Sequence, residues 1–188
     1  FVNRRQLPSI IKELCGAAAE DVLTEPLIMG DFANALEILT NSEAPWDEAR
    51  TYQDMGDWEK VKGLCSQILV SYNEENSAMN LVMFLDAVEH VSRVSRVIRQ
   101  PQGNALLMGV GGSGRQSLTR LAAFIGRHYI FQIALTKNYN RVNMLDDLRE
   151  LYKTAGTNKD VTFLFTDAEI KSESFLEVIN SSLLTGEV

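Results

Sequence analysis

The 188-residue chain has only two cysteines, Cys15 and Cys65, and they stand far apart. Neither has partners at metal-ligand spacing, so a disulfide scaffold and a zinc finger are both excluded. Both fall in apolar helical patterns and read as reduced, buried thiols, which fits the cytoplasm. No apolar stretch approaches the roughly 18 residues of a membrane span, and no signal-peptide pattern is present, so no membrane role is expected. Positive charge is also short. The formal net charge is −7, which excludes a dedicated nucleic-acid binder. The deficit is local: residues 1–70 hold twelve acidic and six basic side chains, whereas residues 71–188 hold thirteen and twelve. The sequence opens on Phe1 and stops at Val188 in mid-pattern, and it reads as a piece of a longer chain.

What is present divides into two textures. Residues 1–72 are mostly helical by pattern. Apolar positions recur at helical spacing over 9–23, a short extended or turn piece follows at Pro26–Phe32, and helices are expected over 32–41 and 57–72. Trp46 and Trp58 read as packing anchors. After a polar break at 73–77, Leu81, Phe84, Leu85, Val88 and Val91 predict a helix ending near Arg99, before Pro101. Arg93, Arg96 and Arg99 share one face of it. That face reads either as solvated or as a basic stripe against phosphate or an acidic neighbour. His90 is a lone helical histidine and reads as structural or surface.

From Pro101 strands and helices alternate. Strands are expected at 105–110, 129–135 and 161–166, and helices at 115–125, 144–155 and 172–184. Three βα units in a row imply a parallel sheet, with ligands bound beyond the carboxyl ends of its strands. Two motifs lie at that edge. Gly109-Val110-Gly111-Gly112-Ser113-Gly114 has the spacing of a Walker A phosphate loop, with a helix N terminus behind it to favour an anion. Phe163-Leu164-Phe165-Thr166-Asp167 has the form of a Walker B strand, whose aspartate sits beside Mg²⁺. Together they predict a P-loop nucleotide site built from Gly109, Gly111, Gly112, Ser113, Gly114, Arg115, Gln116 and Ser117, with Asp167 and Ser117 as candidate Mg²⁺ residues.

Three positions depart from a working ATPase. Arg115 stands where lysine is usual; it keeps the charge but not the shape. Gln116 stands where a Mg²⁺-binding hydroxyl is usual. Ser117 comes one helical residue later, about 100° round the axis. Ala168 stands where a water-polarising glutamate is usual, and Glu169 follows it. If strand geometry continued, Glu169 would point away from the site; as a helix N-terminal acid it would serve the dipole instead. Losing a positioned general base costs roughly 10²–10⁴ in rate. Glu169 is therefore a catalytic candidate only if the chain turns there.

The run Asn104-Ala105-Leu106-Leu107-Met108 through Gly114-Arg115-Gln116-Ser117-Leu118-Thr119-Arg120-Leu121-Ala122 resembles the fourth AAA+ module of axonemal dynein heavy chains. Met79–Phe84 with Asp86, Ala87 and His90 resembles the helix before that module's phosphate loop. Phe163–Asp167 resembles its Walker B strand, Phe175–Glu177 through Thr185–Val188 its following helix and turn, and Pro26–Phe32 the segment leading in. The Arg115-Gln116 form of the loop resembles inner-arm chains more closely than outer-arm chains.

The resemblance implies an α/β P-loop NTPase (AAA+) parallel sheet, partial, at residues 73–188, preceded by a mostly helical segment at 1–72. It implies a regulatory site for ATP or ADP, with Mg²⁺, in a ciliary or flagellar microtubule motor of the axonemal cytoskeleton. Neighbouring AAA+ modules of the same heavy chain would be its immediate partners. Intermediate and light chains and the microtubule would be met through other parts of the parent. Two further readings stay open: a hydrolytic module with Ser117 and Glu169 repositioned by a local shift, and a structural module without nucleotide.

Overall fold

A computed structural model of the chain describes residues 7–18, 28–40, 50–157 and 159–185. The first helix, α1 (Leu7–Cys15), gives way to a 3₁₀ turn at Gly16–Ala18. The rest of the pattern read over 9–23, and Trp46, lie outside the described residues. A two-stranded antiparallel ladder that the sequence did not announce pairs β1 (Met29–Gly30) with β2 (Gln53–Asp54). Between them lies α2 (Ala35–Thr40).

Helix α3 (Trp58–Glu75) starts where Asp57 accepts a hydrogen bond from the Glu59 backbone N–H, an N-cap of the usual chemistry. It runs through the first part of the expected polar break and stops at Asn76. Trp58 packs on the first core, with the Lys62 ammonium 5.4 Å above its ring. Helix α4 (Leu85–Arg99) begins four residues after Leu81 and ends in an extended Gln100, as the residue before a proline should be.

Helix α5 (Arg115–Ile125) follows the glycine loop and has the bounds its periodicity predicts. Then come β3 (Tyr129–Phe131), α6 (Arg141–Ala155), β4 (Val161–Phe163), a 3₁₀ turn at Asp167–Glu169, and α7 (Glu173–Thr185). Asn140 starts α6 earlier than apolar spacing alone indicates, through a capping box with Asn143. β3 and β4 run parallel in the register Tyr129↔Val161, Ile130↔Thr162 and Phe131↔Phe163, with α6 as the crossover.

Two apolar clusters hold these elements. In the first, Ile28, Phe32 and Ala35 meet Val61, Cys65 and Ile68 of α3, Val88 and Val91 of α4, and Leu118, Leu121, Ala122 and Ile125 of α5. In the second, Ile133 and Tyr139 meet Met144 and Leu148 of α6 and Phe175 and Val178 of α7, with Phe131 and Phe163 against them. The first cluster thus joins residues on both sides of position 73. The strand expected at 105–110 is not formed: those residues have no secondary structure and no ladder partner among the described residues. An apolar run becomes a strand only where another strand meets it, and of these six residues only Val110 is of a strand-enriched type.

The cysteines differ from each other. Cys65 is fully buried, and burial raises its thiol pKa to about 12. Cys15 is exposed, which corrects its assignment to a core. The arginine stripe is engaged rather than free: Arg93 pairs with Glu89, Arg96 donates to the Tyr52 hydroxyl, and Arg99 reaches Asp31. Among the described residues no helix is long and apolar enough to cross a membrane.

Candidate functional site

The glycine loop lies open. Leu106 and Met108 are each 84% exposed and Val110 79%. Gly112 and Gly114 hold φ of +77° and +74°, conformations that cost a residue with a β-carbon about 1–2 kcal/mol. Those two left-handed residues curl the chain, and Gly114 serves as the N-cap of α5, its carbonyl accepting from Leu118 N–H at 2.8 Å. The Ser113 N–H closes the turn onto the Val110 carbonyl at 3.3 Å. Gly109 is the point of closest approach: a β-carbon there would stand 3.3 Å from Ser113 Oγ and 3.6 Å from Arg115 Cδ. At Gly111 it would meet open space.

Arg115 folds back over this curl. Its Nη1 donates to the Leu107 carbonyl at 3.2 Å and its Nη2 to the Val110 carbonyl at 3.3 Å. Those carbonyls have no ladder to join, and a planar fork of donors suits them. A guanidinium carries five N–H donors, so others remain for an anion held in the loop. Gln116 is exposed and Ser117 half-buried on the first turn of α5, and neither side chain makes a hydrogen bond among the described residues. Leu81, which sequence reading placed on a helix, lies against the loop instead, its Cδ2 3.6 Å from where a Gly114 β-carbon would be.

On the Walker B side the glutamate is closed in. After β4 the chain turns at Thr166 into the 3₁₀ segment Asp167–Glu169. Glu169 is 5% exposed, with its carboxylate directed inward. One oxygen accepts from both the backbone N–H and the hydroxyl of Thr166, forming a capping box. The other accepts from Gln132 Nε2 at 2.9 Å, and the side-chain oxygen Oε1 of Gln132 accepts from Arg120 on α5. Asp167 and Ala168, by contrast, face solvent.

The structure therefore brings Gly109, Ser113 and Arg115 together, and Glu169 together with Thr166, Gln132 and Arg120. No hydrogen bond joins Ser117 to Asp167. Among the described residues no three His, Cys, Asp or Glu gather to hold a metal by themselves. Asp167 presents an exposed carboxylate and Ser117 a half-buried hydroxyl, and oxygen groups of this kind, with phosphate oxygens and water, are what Mg²⁺ takes. Gln132 and Arg120 were missed from sequence. The available signal was a lone amide in the apolar run Tyr129–Leu135, since a polar group in such a run needs a partner.

Residues 79–188 match the family model described as P-loop containing dynein motor region D4. The chain is 44% identical to human dynein axonemal heavy chain 10 over 186 residues, 98% of this chain and 4% of that protein. It is 42% identical to the Chlamydomonas reinhardtii dynein-1-alpha heavy chain of the flagellar inner arm I1 complex over 191 residues, 100% of this chain and 4% of that protein. It is 49% identical to mouse dynein axonemal heavy chain 5 over 152 residues, 79% of this chain and 3% of that protein. The chain thus spans a few hundredths of the length of these relatives.

Proposed function

Because the chain belongs to the dynein motor region D4 family, we propose that it forms a regulatory nucleotide-binding module of an axonemal dynein motor, one that binds ATP or ADP and hydrolyses slowly or not at all. The parent would be an ATP-driven microtubule motor that supports the movement of cilia or flagella. Neighbouring AAA+ modules of the same heavy chain would flank this one, and other parts of the parent would meet the intermediate and light chains and the track.

The observation that carries this reading is the closed state of Glu169. With Ala168 in the usual position of the water-polarising acid, Glu169 is the nearest carboxylate after Asp167. Its oxygens are taken by Thr166 and Gln132. A general base must reach water, and Glu169 is 5% exposed with three hydrogen bonds already on its carboxylate. Binding makes no such demand. The curl at Gly109–Gly114 and the exposed N terminus of α5 offer backbone N–H groups to phosphate, and Arg115 adds charge. Leu81 supplies an apolar wall beside the loop. Asp167 and Ser117 would hold Mg²⁺, which when bound neutralises phosphate charge.

The test is single-turnover hydrolysis by the intact heavy chain with its other nucleotide loops disabled. We expect binding of a fluorescent ATP analogue with negligible chemistry, unchanged by Glu169→Gln. Measurable turnover abolished by Glu169→Gln would establish the hydrolytic reading instead. Absence of any binding would leave a structural module.

A further inference from the structure

The glycine loop is bracketed by two helices, and a carboxylate from outside residues 79–188 ties the loop-proximal end of α4 to the far end of α5 by way of Arg50. Asp31 follows β1, and its side chain is 4% exposed. Arg50 precedes β2, and its side chain is 2% exposed. Arg50 Nη2 donates to Asp31 Oδ1 at 3.1 Å and Nε to the Asp31 carbonyl at 3.4 Å. Its Nη1 donates to the carbonyl of Ile125, the last residue of α5, at 3.5 Å. The other Asp31 oxygen accepts from Arg99, the last residue of α4. Residues 100–114 connect these two helices.

Buried charge is a poor source of stability, because desolvation offsets the attraction. What it enforces is geometry, since the cluster is satisfied only when all its partners are in place. Arg50 also puts a cation at the negative end of the α5 dipole, while the positive end faces the glycine loop. A helix of eleven residues is about 16 Å long and moves as a rod, so fixing its C terminus helps fix its N terminus.

We propose that Asp31, Arg50 and Arg99 form a positioning clasp that sets how α5 presents its N terminus to phosphate, coupling the β1–β2 ladder to nucleotide binding. The coupling rests on reading Gly109–Gly114 as a nucleotide loop; the clasp itself does not. Coupling is reciprocal. Bound nucleotide must therefore protect the ladder amides as the clasp strengthens nucleotide binding.

The experiment uses the intact heavy chain with its other nucleotide loops disabled. Asp31→Leu with Arg50→Met replaces the buried pair by apolar side chains, an exchange that folded proteins often accept. Arg99, already partly in water, can turn outward. In this double variant we expect amide exchange over residues 122–126 to quicken about tenfold and mant-ADP to bind about fivefold more weakly. The protection that mant-ADP gives to residues 50–55 should be lost. Arg50→Lys, which cannot span all three acceptors, should fall between. If the double variant does not fold, Arg99→Gln, which leaves the Asp31–Arg50 pair intact, carries the test with an expected twofold change in both readouts. Unchanged exchange and unchanged affinity in a folded variant overturn the clasp. If the unmodified chain binds no mant-ADP at this loop, the nucleotide reading fails instead, and the exchange measurement still decides whether the clasp holds α5.

Discussion

The glycine loop and the aspartate turn are the two halves of one proposed site, and they are built in opposite ways. Residues 104–112 lie in solvent, held by two left-handed glycines and by the Arg115 fork on two carbonyls. Around Thr166–Glu169 a carboxylate is buried and each of its oxygens is engaged. Affinity belongs to groups that can still meet a ligand, and those are on the loop. Rigidity belongs to groups already satisfied, and those are in the turn. On the proposed reading, an open cradle with a closed acid holds nucleotide and does not cleave it quickly. Helix α5 serves both halves, with its N terminus at the cradle and Arg120 reaching toward the closed acid.

Removing that shared support should have the largest effect. Leu121 is fully buried in the first cluster, so Leu121→Ala should cost roughly 2–5 kcal/mol of stability, read as a fall in the denaturant midpoint. Breaking the open half alone comes next. Gly114→Val forces a β-branched residue into φ +74° with Leu81 beside it. It should weaken fluorescent ADP analogue binding by roughly 100-fold, about 2.7 kcal/mol, while the fold persists.

Breaking the closed half should be milder. Thr166→Val removes the hydroxyl that donates to Glu169 and should destabilise by about 1 kcal/mol, seen in thermal unfolding, with little change in nucleotide affinity. A substantial loss of affinity there would mean that the two halves are not separable.

The smallest effect concerns His128, at the junction of α5 and β3, whose Nδ1 lies 3.1 Å from Thr162 Oγ1. Burial lowers its pKa below 6.5, with Asp160 opposing and Arg50 reinforcing the shift. The folded state therefore favours the neutral ring. Its contribution is complete above about pH 6.5 and is lost as pH falls through the folded-state value. Unfolding measured from pH 7.5 down to 5 should show a shallow decline that His128→Gln flattens.

The helices were legible because their apolar positions repeat every three to four residues; the start of α6 was not, because Asn140 caps it ahead of the first apolar repeat. The Walker pair was legible because both motifs depend on local spacing. The partnering of strands was not: Ala105–Val110 is apolar, and nothing within it tells whether another strand meets it. The direction of Glu169 was not legible either, because it depends on a turn that Thr166 and Glu169 make together. The Asp31–Arg50 pair spans nineteen positions and joins two segments without a motif. Distance along the chain hides such a pair; its burial reveals it.

The bare segment Ala105–Val110 has a colloidal consequence. Its backbone lacks a ladder partner among the described residues, and Leu106, Met108 and Val110 present apolar surface to water. An uncharged apolar segment without a ladder partner is open to addition of another strand.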